Sequence, residues 1–167
     1  MAEPGCDGRD PVLVVLGLGS NRGDSPAILA GAVEKLGALL KNMRAASIIE
    51  TEPRYVTDQP RFLNSAVCGY WDRSPRQLLE TLHRVEAAFG RDRSRECRWG
   101  ERTLDIDILL FGDQIVSGPG DLEIPHPRLN ERAFALEPLV ELLPDAVDPR
   151  TGRLFRKILG ALAGREQ

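Results

Sequence analysis

The sequence is short of cysteine, histidine and aromatic side chains, and each shortage argues against a class of function. Cys6, Cys68 and Cys97 are odd in number and form no CxxC pair, so neither a disulfide framework nor a zinc site is indicated. A reducing, cytoplasmic location is expected. The first apolar run, VLVVLGLG from Val12, is too short to cross a bilayer, and the acidic stretch before it lacks the positive n-region of a signal peptide. Aromatics make up 5% of the chain and the formal charge is -3, which offers neither stacking platforms nor a basic surface for nucleic acid. Two phosphate-loop signatures are missing as well. In GLGSNRGD, Arg22 fills the third glycine position of GxGxxG, and GxxxxGK[ST] does not occur.

What is there is an ordinary globular composition, 42% apolar and 28% charged over 167 residues, enough for one core without a staple. A flexible arm over 1–11 and a single domain over 12–167 are expected. PVLVVLGLGSN reads as a buried strand ending in a tight turn. Residues 26–40 follow as a helix, with Asp24 or Ser25 to cap it and Pro26 in its first turn. RAASIIETE and FLNSAVCGYW read as strands on either side of a proline-containing loop, TEPRYVTDQPRF. Leu78, Leu79, Leu82, Val85 and Phe89 mark an amphipathic helix stopped by Gly90, and TLDIDILLF is a fourth long strand. Strand, helix, strand, strand, helix, strand is the ferredoxin-like order, an α+β fold with a mostly antiparallel sheet and both helices on one face. LNERAFALEPLVELL and GRLFRKILGALAG add C-terminal helices that would cover other parts of the sheet.

Asp105 and Asp107 interrupt the apolar run of the fourth strand. Side chains alternate along a strand, so Leu104, Ile106, Ile108 and Leu110 are expected on one face and both aspartates on the other. Carboxylates spaced roughly 7 Å apart on one face can bind one cation together or two cations bridged by a substrate phosphate, and their hard oxygens favour Mg²⁺. A DxD pair alone is often a solvated strand face, but a like-charge pair on a central strand calls for compensating cations. Just upstream, GRDRSRECRWGER supplies Arg91, Arg93, Arg95, Arg98 and Arg102, guanidinium groups that bind phosphate oxygens in fork geometry. The loop reads as a lid over a polyphosphate. His126, between prolines in IPHPRLNERAF, has Arg128 and Arg132 close by and suits donation to phosphate, whereas His83 reads as a surface residue. Phe62 and Phe134 can clamp a flat heterocycle whose edge Asn64 reads with donor and acceptor.

RWGERTLDIDILLFGD resembles the signature of 6-hydroxymethyl-7,8-dihydropterin pyrophosphokinase. LGLGSNRGD, DQPRFLNSAV, RVEAAFGR and IPHPRLNERAFALEPL are similar to further motifs of that family, in its order, over nearly the whole chain from Val12 to Leu162. The resemblance implies an enzyme of folate biosynthesis that moves the β,γ-diphosphate of ATP to the pterin hydroxymethyl group and releases AMP. It implies two Mg²⁺ ions on Asp105 and Asp107, Arg91 and Arg102 stabilising the transferring group, and His126 and Arg132 on the phosphates. Ile108 would line the adenine pocket and Glu86 would stand near the nucleotide. Thr51 and Asn64 would bond the pterin edge, Phe62 and Phe134 would sandwich its ring, Pro53 would stand among the pterin-side positions, and Trp99 would close over the site. The partners implied are ATP and hydroxymethyldihydropterin, with no nucleic acid or membrane, for a monomer. Phe62 replaces a common tyrosine, Pro127 follows the histidine where some members have tyrosine, and Tyr55 stands at a position often held by glycine. A ferredoxin-like RNA-binding module and a metal-dependent phosphohydrolase are the alternative classes; aspartates on a central strand disfavour the first, and the nucleotide product separates the second.

Overall fold

The computed structural model describes residues 8–165, so most of the expected N-terminal arm, residues 1–7, lies outside the described residues; residues 8–11 are largely exposed and belong to no helix or strand. The chain runs β1 (Val12–Ser20), α1 (Ser25–Leu39), β2 (Lys41–Ala45), β3 (Ile49–Thr51), β4 (Phe62–Trp71), α2 (Pro75–Ala88) and β5 (Asp105–Phe111). It continues through a small ribbon, β6 (Val116–Ser117) and β7 (Glu123–Ile124), a 3-10 turn at Leu129–Glu131, α3 (Ala133–Leu142) and α4 (Phe155–Arg165). The main sheet has the order β2-β4-β1-β5, with β3 also paired to β4, and every pairing is antiparallel. This is the ferredoxin-like arrangement the sequence predicts.

Local chemistry accounts for the helix boundaries. Asp24 accepts a hydrogen bond from the Ala27 amide at 3.2 Å and opens α1. Ser74 and Gln77 form a reciprocal capping box at the start of α2. Gly90, with φ at +90°, ends α2 and turns the chain into the arginine-rich loop. Leu29, Ala32 and Leu36 of α1 and Leu78, Leu82 and Val85 of α2 bury one sheet face together with Leu16, Leu18 and Ile106. The tail helices bury the other through Leu136, Leu139, Phe155 and Ile158, packed on Val15, Ala66 and Cys68. Helices of the same chain therefore cover both faces.

Two expectations are corrected. The single strand expected over RAASIIETE is two short ones, β2 and β3, separated at residues 46–48, where the Ala46 amide donates to the Ala66 carbonyl of β4 and the Ser65 hydroxyl of β4 donates to the Ala46 carbonyl, outside the regular ladder. Leu110 does not share a face with Ile106 and Ile108. Leu16 pairs with Ile108 but Val15 pairs with Leu110, so Leu109 is an extra, bulged residue. After the bulge the alternation is shifted: Leu109 and Leu110 join the α3 side with the aspartates, and Phe111 returns to the α1/α2 core.

Candidate active site

The aspartates face open space because of their neighbours on β1. Asp105 pairs with Gly19 and Asp107 with Gly17, so no side chain rises beside either carboxylate on that strand. The same bareness continues to β4, where Gly19 pairs with Asn64 and its Cα hydrogen faces the Asn64 amide oxygen; a Cβ there would stand 3.0 Å from it. The floor of the site is thus two carboxylates on β5 and one amide on β4, with the glycines of β1 between them.

Behind the floor lies a buried ionic cluster. Glu86 of α2, 1% exposed, accepts from Arg91 at 2.8 Å, from Arg93 at 2.8 Å and from the Ile106 backbone amide at 2.8 Å. Arg91 also donates to both oxygens of Glu96, at 2.7 and 3.1 Å, and to Asp105 at 2.7 Å. Arg102 reaches the second Asp105 oxygen at 3.1 Å, while its buried Nε has no partner. Burial opposes ionisation of Asp105, yet Arg102 and Arg91 outweigh it and hold this carboxyl below the usual range. Burial likewise opposes the charge on Arg91, but Glu96, Asp105 and Glu86 keep it firmly protonated. Asp107 fares differently: burial and the neighbouring Asp105 charge push it up to about 7 despite Arg132. Two carboxylates two residues apart therefore differ in proton affinity because the arginines crowd one of them.

Arg132 and His126 face Asp107 at 3.7 and 3.9 Å. Burial and Arg132 lower His126 to about 4, so its ring is neutral near pH 7. Its Nδ1 accepts from the Arg128 amide at 3.1 Å, which leaves the proton on Nε2, the nitrogen turned towards Asp107. The imidazole is a pre-set donor.

Two clefts meet over this floor. The first is lined by Thr51, Phe62, Asn64, Trp99 and Phe134, and the second by Arg91, Arg93, Ile108, His126 and Arg132. Trp99, Arg102, Asp105, Asp107, His126 and Arg132 border both. Thr51 accepts from the Asn64 amide at 2.6 Å, tying the two polar groups of the first cleft together. Not every expected residue reaches a wall. Glu86 lies beneath, with its oxygens taken by arginines, Pro53 is buried in the loop after β3 without lining either cleft, and Arg95 is exposed beside Asp92. His83, read as a surface residue, borders the second cleft with Nε2 3.6 Å from Asp121.

Loops complete the first cleft through residues to which the sequence assigned no binding role. Tyr55 stacks on Trp99 with ring centroids 4.3 Å apart, and the Arg128 guanidinium lies 5.2 Å from Trp99 and 5.3 Å from Tyr55. Gln59 donates to the Trp99 carbonyl and accepts from Asn21, whose side-chain oxygen accepts from the Arg102 amide. A tyrosine in a proline-containing loop was the available signal for Tyr55; nothing local in the sequence announces the Asn21–Gln59 pairing, which joins residues far apart.

Two carboxylates and a neutral donor histidine thus stand beside arginines at the junction of the two clefts. Residues 15–144 match the model of the 7,8-dihydro-6-hydroxymethylpterin-pyrophosphokinase family. The chain is 46% identical over 134 residues to a 2-amino-4-hydroxy-6-hydroxymethyldihydropteridine pyrophosphokinase of Methylorubrum extorquens, covering 79% of this chain and 83% of that one. It is 41% identical over 155 residues to a mitochondrial folate synthesis bifunctional protein of Pisum sativum, covering 90% of this chain but 29% of the pea protein. Among solved structures, wild-type Plasmodium falciparum HPPK-DHPS superposes with a TM-score of 0.70 at 14% identity, over 93% of this chain and 45% of that one, a likeness of fold. The chain belongs to the 7,8-dihydro-6-hydroxymethylpterin-pyrophosphokinase family. It is accordingly an enzyme of the pyrophosphokinase class.

Proposed function

We propose that the chain transfers the β,γ-diphosphate of ATP to 6-hydroxymethyl-7,8-dihydropterin, giving AMP and the pterin diphosphate in folate synthesis, with ATP in the second cleft and the pterin in the first. The observation that carries this reading is the meeting of an arginine-lined cleft and an aromatic, amide-bearing one over Asp105 and Asp107. Phe62 and Phe134 hold the flat ring, Thr51 and Asn64 bond its edge, and Pro53 shapes the loop behind Thr51. Ile108 meets the adenine, and Glu86 serves the nucleotide by orienting Arg91 and Arg93.

The donor set fits magnesium. Mg²⁺ keeps water and phosphate oxygens and needs only one or two carboxylates, and among the described residues no group of three acidic, histidine or cysteine side chains is placed to hold a metal ion by itself. Asp105 keeps free lone pairs beyond its two arginine bonds, and burial together with the Asp105 charge raises the proton affinity of Asp107, a carboxylate that a cation would relieve. Asp105 and Asp107 would hold two ions, which when bound neutralise and align the polyphosphate. The protein's own groups do the rest. The hydroxymethyl oxygen, delivered by the pterin cleft, forms a bond to the β-phosphorus and gives up its proton to solvent, while the bond from that phosphorus to the α,β-bridging oxygen breaks and AMP leaves with that oxygen. Arg91, Arg102 and Arg132 stabilise the charge in flight, His126 donates Nε2–H to a phosphate oxygen, and Trp99 keeps water out.

The same proposal covers a single domain over 12–167 acting as a monomer, supported by the helices over both sheet faces. No described helix is long and apolar enough to cross a membrane. A cytoplasmic location is also proposed, supported by the free thiols of Cys68 and Cys97, although two plant relatives carry mitochondrial names. Incubation with Mg-ATP and the reduced pterin, followed by chromatography of the nucleotides, tests the reaction. AMP that appears only with the pterin is the expected result; ADP or no turnover overturns it.

A further inference from the structure

Residues 125–132 form an arc from the end of β7 to the start of α3, carrying both His126 and Arg132. It is pinned to β5 where the His126 amide donates to the Leu109 carbonyl at 3.3 Å. Arg54, in the loop after β3, donates to the Glu131 carbonyl at 2.6 Å, and further attachments come from a turn between α3 and α4, beyond the family-matched residues. The Arg150 guanidinium donates to the Pro125 carbonyl at 2.8 Å and to the Glu123 carboxylate at 3.3 Å. Asp148, 2% exposed, accepts from the Asn130 side-chain amide at 2.8 Å. The same carboxylate accepts from the Arg150 amide at 2.9 Å and the Thr151 hydroxyl at 3.3 Å, so it orders the turn from which Arg150 reaches out. One buried carboxylate and one arginine thus hold the arc at two points, just before His126 and just before Arg132.

We infer that Asp148 and Arg150 are positioning residues for phosphate binding, acting through the backbone of the arc to set His126 and Arg132 against the nucleotide. A shift of the arc would displace both donors from the second cleft while leaving Thr51, Phe62 and Asn64, on β3 and β4, in place. The role is therefore weighted to the nucleotide: His126 and Arg132 border both clefts, but Thr51, Phe62 and Asn64, which meet the heterocycle, stand on strands that the arc does not carry.

The inference rests on the assignment of the second cleft to ATP, and steady-state kinetics on the full chain tests both. Arg150 is about one-third exposed, so Arg150→Ala should fold. Its KM for ATP is expected to rise about tenfold, the usual scale for loss of a group that orients a binding side chain, with a clearly smaller change in the pterin KM. Arg150→Lys should recover part of the loss, since an ammonium can reach the carbonyl without the guanidinium fork. Asp148→Asn, which keeps the side-chain shape, should shift ATP in the same direction. Wild-type protein that makes no AMP defeats the cleft assignment. Wild-type turnover with variants that change both KM values alike, or neither, defeats the positioning role alone.

Discussion

At the residue scale, Asp105 and Asp107 are chemically unequal, and that inequality is testable. In the metal-free protein Asp107 titrates near 7, above its ordinary value of 3.8. A group raised on folding contributes stability that is full below its unfolded pKa and lost as pH rises through the folded one. The melting temperature of the metal-free protein should therefore decline between about pH 4 and 7 by more in wild type than in Asp107→Asn, as scanning calorimetry can measure. Mg²⁺ competes with the same proton, so its affinity should climb with pH up to about 7 and then level. Asp105→Ala and Asp107→Ala should each lower turnover by orders of magnitude with the circular dichroism spectrum unchanged; wild-type turnover in either would remove the metal-site proposal. Arg91→Ala is a different case. It leaves Glu86 buried with one partner fewer and Glu96 unpaired, so a loss of stability of about 3–5 kcal/mol in urea melts is expected besides the loss of rate.

At the scale of elements, the approach of β1 to its neighbours is what bares the site. Gly19→Ala would place a methyl 3.0 Å from the Asn64 amide oxygen, so pterin affinity should fall by about tenfold with ATP affinity little changed, read by titration calorimetry. Equal losses for both ligands would mean a general defect of β1. The same strands show how far the sequence could be read. Helix α1, helix α2 and the aspartate face follow from capping residues and periodicity, which are local. The break between β2 and β3, the Leu109 bulge and the Tyr55–Trp99 stack follow from pairing between distant segments, which periodicity does not encode. Glu86 was legible as an acidic position near the site, but its task, holding Arg91 and Arg93, appears only once α2 is packed on β5.

At the scale of the whole molecule, the C-terminal helices are part of the core. Phe155 is fully buried against the sheet face that α3 shares. Phe155→Ala should cost about 3–5 kcal/mol of unfolding free energy by urea denaturation. A change near zero would mean that α4 is an appendage and that residues through 144 fold alone.

The bulge at Leu109 works as a phase shift. Ahead of it, β5 presents acid to the cleft and hydrocarbon to α1 and α2; past it, the strand offers hydrocarbon to both sides, with Leu110 under α3 and Phe111 in the opposite core. A strand with strict alternation would have to sacrifice one of these anchors or turn an aspartate inwards. No single substitution converts one phasing into the other, because the difference is a residue count. Deletion of Leu109 should therefore be far more damaging than any replacement of it, because it would shift the phase of every residue on one side of the bulge.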